Sequence, residues 1–136
     1  MPAFLLTDSA PPDAWRPHLH AGTLWIAEVD RTPVGYLAAR VEGERLHIDE
    51  LDVALAHQGR GYGRRLLSEA AAWARARGLR RLSLTTFRTI AWNGPFYASF
   101  GFREWPATDA PASIGQALSD EAARGLPDRC AMVMDI

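Results

Sequence analysis

The chain has 136 residues, of which 48% are hydrophobic and 23% charged, with a formal net charge of -1. This is enough to bury one core, and it excludes a disordered or fibrous chain and a strongly basic nucleic-acid binder. A lone cysteine, Cys130, excludes an internal disulfide, and no run of about eighteen apolar residues exists to cross a bilayer as a helix. One cytoplasmic domain over residues 1–136 without a membrane partner is therefore expected.

In residues 1–22, Pro11, Pro12 and Pro17 interrupt the apolar positions and leave room for one short helix around Asp13 to His20. His18 and His20 share no metal-ligand spacing with His47, His57 or Cys130, so they are expected at the surface and no metal site is expected. Thr23 to Val29 reads as a strand, Asp30-Arg31-Thr32-Pro33 as a turn, Val34 to Val41 as a second strand, and Glu42-Gly43-Glu44 as another turn. Arg45 to Val53 is the third, and three antiparallel strands in sequence are the simplest topology.

That third strand runs directly into Gln58-Gly59-Arg60-Gly61-Tyr62-Gly63-Arg64 and then a helical pattern. Three glycines strip side chains from the turn, so backbone N–H groups can converge on one anion, and a helix starting there adds its positive end. The expected guest is a phosphate or pyrophosphate. Tyr62, Leu66, Ala70, Trp73 and Ala74 form one apolar helix face that Gly78 should end, and Leu79 to Thr86 reads as the next strand, parallel to the third. Ala91 to Phe102 holds a short helix opened by Asn93 or Gly94 and closed by Gly101, before a strand starting at Phe102. A helix around Ile114 to Arg124 and a strand from Cys130 to Ile136 finish the chain.

Charge is unevenly distributed. Between Arg60 and Arg81 there are seven arginines and one acid, Glu69. Arg75 and Arg77 read as a solvated helix face, whereas Arg60, Arg64 and Arg65 lie beside the glycine turn, where a polyphosphate would meet them. No nucleic-acid-binding signature accompanies the patch, so no nucleic-acid partner is expected.

The glycine spacing does not fit a dinucleotide fingerprint, and the chain has no lysine with which to build a nucleotide-triphosphate loop. Gln58-x-x-Gly61-x-Gly63 instead resembles the cofactor motif of the GNAT superfamily of acyl-CoA-dependent N-acyltransferases, Gln/Arg-x-x-Gly-x-Gly/Ala. Asn93-x-x-Phe96-Tyr97-x-x-x-Gly101-Phe102 resembles its second motif and follows in the expected order. The resemblance covers residues 23–136. It implies an α+β fold: a mixed sheet flanked by helices, whose fourth and fifth strands in the family's count part to make a cleft for the pantetheine arm. By position, Leu51 and Val53, with Asp52 between them, would meet that arm, and Gln58, Gly59, Arg60, Gly61, Tyr62, Gly63 and Arg64 would wrap the pyrophosphate. Asn93, Phe96 and Tyr97 would lie on the cofactor side near the thioester. The departure is at the N-terminus, where residues 1–22 are too few for the strand and two helices that usually wall the acceptor site.

The activity implied is transfer of acetyl from acetyl-CoA to a primary amine, on a small molecule or peptide, by direct attack in a ternary complex of a monomer or homodimer. Such chemistry needs a base and an acid. Tyr97 is the candidate acid. Asp49 and Glu50 are candidate bases of equal standing, on opposite faces of an ideal strand unless a bulge intervenes. His47 shares the face of Asp49 and is a further candidate base, although a strand histidine is expected at the surface. The alternative is an acyl-CoA-binding module or sensor without catalysis.

Overall fold

A computed structural model of the chain describes residues 16–87, 93–106, 108–126 and 128–136. Its elements are α1 (Arg16–Ala21), β1 (Leu24–Val29), β2 (Thr32–Glu42), β3 (Arg45–Val53), a 3-10 turn (Leu55–His57), α2 (Tyr62–Ala76), β4 (Arg81–Phe87), α3 (Asn93–Phe100), β5 (Arg103–Glu104), α4 (Ala112–Ala123) and β6 (Arg129–Asp135). The six strands form a mixed sheet flanked by helices, in the order β1-β2-β3-β4-β6-β5. Among the described residues, no helix is long and apolar enough to cross a membrane. The chain divides into two units, residues 1–80 with Ile136 and residues 81–135.

In the first unit β1 pairs with β2 and β2 with β3, both antiparallel. The β1–β2 turn is tighter than the sequence reading. Val29 pairs with Thr32, leaving only Asp30 and Arg31 in the loop, both at positive φ (51° and 65°), the two-residue geometry that matches strand twist. Pro33 therefore lies inside β2. It is tolerated because it sits opposite Glu28, where a bulge between Ala27 and Glu28 already breaks the ladder.

Residues opposite each other across strands share a face, which sorts this small sheet into two sides. Leu24, Ile26 and Ala38 form a buried cluster, with Tyr36 and with Leu19 of α1 packed against it. The other side carries α2, whose Leu66, Leu67, Ala70, Ala71 and Ala74 are buried. Full burial of each leucine contributes roughly 1.5–3 kcal/mol. Trp73 of α2 meets Trp25 of β1 edge-on at 5.8 Å, and the Arg77 guanidinium stacks 3.9 Å over the Trp73 ring. Arg77 is exposed, as a solvated face requires, and adds this stack on Trp73. The helix ends as its sequence predicts: Gly78, at φ 75°, donates to Arg75 O while Leu79 N–H reaches Ala74 O at 3.0 Å.

In the second unit β6 pairs antiparallel with β4 and with β5. Trp105, Ile114, Ala131 and Val133 form its buried cluster, with Leu118 against it. Glu121 of α4 is buried and answered on both oxygens: Arg129 Nε donates at 2.7 Å and Thr85 Oγ1 at 2.8 Å. Arg129 also donates to Thr85 O at 3.3 Å, so α4, β4 and β6 share one polar clasp.

Candidate functional site

β3 carries one residue more than β2 opposite it. Ala38 pairs with Glu50 and Ala39 with Ile48, so Asp49 has no partner on β2 and forms a bulge. The consequence corrects the ideal-strand reading, in which Asp49 and Glu50 point apart. Glu50 shares the α1 face with its partner Ala38, and Asp49 is on that face too, because its Oδ2 lies 2.8 Å from His18 Nε2 of α1. Asp52, opposite Tyr36, follows on the same side.

A ladder of charges runs along this face. Arg40 Nε lies 3.5 Å from Asp49 Oδ1 and donates to Glu42 Oε1 at 3.2 Å, and Arg45 Nη2 is 3.8 Å from Glu42 Oε2. Burial pushes the Arg45 guanidinium below its ordinary pKa, against the pull of Glu42. His47 is only 4% exposed, contrary to the surface position expected for it, because the first four residues of β3 are buried on both sides of the strand. That burial pushes its imidazole below the ordinary 6.5, with Asp49 opposing the shift and Arg40 and Arg45 adding to it. Glu50 and Asp52, by contrast, stand exposed at the far end of the strand, with Leu51 and Val53 half-buried between and beyond them.

Contrary to the surface position expected for it, the His18 side chain is only 16% exposed and is bonded to the bulge. No local signal in the sequence marks it: the pairing spans 31 residues and depends on α1 docking over the sheet.

Beyond β3, Gln58 Nε2 donates to Val53 O at 2.9 Å and ties the loop back to the strand end. Gly59 and Gly61 both take positive φ, 77° and 87°, and Gly61 is the N-cap of α2. No side chain caps this end and no acid stands in its first turn. The first helical bond runs from Arg65 N–H to Gly61 O at 3.0 Å, so the amides of Tyr62, Gly63 and Arg64 lie outside the helix's own ladder. Arg60, Arg64 and Arg65 are exposed around them. A positive helix end with no acid in its first turn and with arginines around it suits an anion. Tyr62 is braced by His57, edge-on at 6.1 Å.

The acetyltransferase (GNAT) family model matches residues 2–102. The chain belongs to that family. The match starts well before residue 23, where the sequence resemblance begins, and takes in both GNAT motifs. The chain is 38% identical over 79 residues to N-alpha-acetyltransferase 80 of Mus musculus, covering 58% of this chain and 24% of the relative. It is 38% identical over 88 residues to N-alpha-acetyltransferase 40 of Saccharomyces cerevisiae, covering 54% of this chain and 31% of the relative. It thus spans about a quarter to a third of the length of these curated relatives. The N-acetylglutamate synthase of Neisseria gonorrhoeae, solved with coenzyme A and N-acetyl-glutamate, shares the fold. Its TM-score is 0.73 at 23% identity, over 95% of this chain and 28% of that one.

The second GNAT motif lies in the other unit. Asn93 opens α3, and its side chain, like residues Ala91 and Trp92, lies outside what is described. Tyr97 is half-buried, edge-on to Phe96 at 5.2 Å and to Phe102 at 5.7 Å. Its carbonyl accepts from Phe102 N–H at 3.0 Å, closing the helix at Gly101. The following strand, expected to start at Phe102, is the two-residue Arg103–Glu104. Among the described residues, no group of three or more His, Cys, Asp or Glu is placed to hold a metal ion.

Proposed function

We propose that this protein moves the acetyl group of acetyl-CoA to a primary amine by direct attack in a ternary complex. The observation that carries the reading is the start of α2, an uncapped, carboxylate-free helix end that follows two glycines at positive φ. A pyrophosphate suits it, and Gln58, Gly59, Arg60, Gly61, Tyr62, Gly63 and Arg64 would hold that group. Leu51 and Val53, flanking Asp52, would meet the pantetheine arm, with Asn93 and Phe96 also on the cofactor side. When bound, acetyl-CoA supplies the acyl group as a thioester.

The chain's own residues supply the proton transfers. Glu50 is the base: it is exposed on the α1 face at the open end of β3, next to Leu51, whereas Asp49 is largely covered at the bulge beneath α1. It takes a proton from the amine as the nitrogen attacks, and the Tyr97 hydroxyl gives one to the departing thiolate. Glu50 and Asp52 make this end of β3 acidic, which favours an acceptor that arrives as a cation. The acceptors to try are polyamines, aminoglycosides, amino acids and peptide N-termini, the last suggested by the names of the curated relatives.

The test is release of free thiol from acetyl-CoA across that panel, for the protein and for Glu50→Gln. General base catalysis is worth about 10²- to 10⁴-fold, so Glu50→Gln should lose at least a hundredfold in rate. Acetyl-CoA binding without turnover on any acceptor would replace the enzyme by a binding module, and a fully active Glu50→Gln would return the base to Asp49 or His47.

A further inference from the structure

The bulge at Asp49 sets which face Glu50 occupies, and its position along β3 is a choice of register. Moving the extra residue to 50, with Asp49 opposite Ala38 and Leu51 still opposite Leu37, would satisfy the same strand lengths while letting Glu50 turn to the Leu37 side. On the β2 side the ladder does not hold Asp49 in place, since it has no partner there. Its side-chain bonds do, and the shorter of them is to His18. His18 is itself anchored at the main chain. Its carbonyl accepts from Thr23 N–H at 2.9 Å and from Thr23 Oγ1 at 3.3 Å, and Thr23 is buried at the head of β1. Leu19, the next residue, packs into the apolar cluster of the sheet. A residue fixed at its main chain by Thr23 and at Nε2 by Asp49 therefore grips the bulge.

We propose that His18 is a positioning residue that pins the β3 bulge at Asp49 and so holds Glu50 on the acceptor side. This rests on the reading of Glu50 as the base. Loss of His18 should then be felt by the acceptor amine and by the proton transfer from it, and not by acetyl-CoA, whose expected loop lies beyond β3 and whose expected pantetheine contacts, Leu51 and Val53, are held by Leu37 and Gly35 across the ladder. Arg40 alone is too weak a substitute, at 3.5 Å and on a side chain 55% exposed.

The experiment compares His18→Leu, His18→Gln, Asp49→Ala and the double variant His18→Leu/Asp49→Ala with the parent chain. It measures kcat and KM for the best amine, acetyl-CoA affinity by calorimetry, and the backbone proximity of Ala38 to Glu50 by the nuclear Overhauser effect. His18→Leu should lower kcat/KM for the amine by at least tenfold, with acetyl-CoA affinity unchanged and the Ala38–Glu50 Overhauser signal weakened. His18→Gln, which keeps a donor of similar reach, should recover most of the rate. In the Asp49→Ala background, His18→Leu should add nothing further.

An unchanged amine rate, a parallel loss of acetyl-CoA affinity, or equal losses with and without Asp49 would each overturn the proposal. If the parent chain transfers to no amine, the function reading fails by itself, and the Ala38–Glu50 signal still decides on the pin. A signal at full strength in His18→Leu overturns it, and one that disappears there and returns in His18→Gln sustains it.

Discussion

Replacing Gly61 by alanine separates backbone strain from ligand loss, because the chain contains a matched control. Gly61 holds φ at 87° and Gly43, in the β2–β3 turn at the opposite end of β3, holds it at 62°. A Cβ built at either glycine meets nothing within 4 Å, so neither substitution clashes with the protein itself. Both force an L-residue into left-handed backbone, at about 1–2 kcal/mol. At roughly 4 °C per kcal/mol for a chain of this size, both variants should melt about 4–8 °C below the parent. Only Gly61→Ala should lose acetyl-CoA. A loop relaxing towards ordinary angles pulls its amides off the anion, and a loss of tenfold or more in affinity corresponds to at least about 1.4 kcal/mol. Differential scanning calorimetry and titration calorimetry on the three proteins give both quantities. Equal acetyl-CoA affinity in all three would refute the assignment of this loop, and equal weakening in both variants would assign the loss to general destabilisation.

Tyr97→Phe keeps the ring packing against Phe96 and Phe102 and removes only the hydroxyl. Steady-state turnover should fall by about 10²- to 10⁴-fold while acetyl-CoA affinity and melting temperature stay nearly constant. His47 makes a pH prediction. Its folded pKa is depressed below 6.5 chiefly by burial, so the unfolded chain takes up that proton first on acidification. The contribution is present in full above 6.5 and is lost as pH falls towards the folded value, with a slope of at most about 1.4 kcal/mol per pH unit. Urea melts from about pH 7.5 to 5 should show this loss, and His47→Gln should flatten part of it; an unchanged slope would place the acid sensitivity elsewhere.

The elements legible in the sequence are those with local causes. Gly78 stops α2 because an αL residue is needed there, and Gly101 follows α3 for a similar reason. The three-strand meander follows from alternation and turn residues, although Asp30-Arg31 does in two residues what the pattern spreads over four. The glycine loop is legible as an anion seat, and the two motifs as a family resemblance that the family match sustains. The α1 side of the sheet is not legible. His18 meets Asp49 only through tertiary docking, and His47 lies on a strand whose first half is buried on both sides, which periodicity alone reads as surface. The bulge sits in His-Ile-Asp-Glu-Leu-Asp, where the adjacent acids Asp49-Glu50 interrupt the alternation and are its one local trace.

The bulge also divides β3 into two stretches under different constraints. Arg45 to Ile48 are enclosed on both sides, so any change there disturbs packing or leaves a buried charge unmatched. Past Asp49 the even positions, Glu50 and Asp52, are exposed and can be exchanged without touching the core. If Glu50 is the base as proposed, acceptor preference is free to drift at Asp52 beside it while the same strand keeps the fold fixed. A library randomising only residues 50 and 52 should yield proteins that nearly all fold, and the members that keep Glu50 should stay active and differ in which amines they prefer.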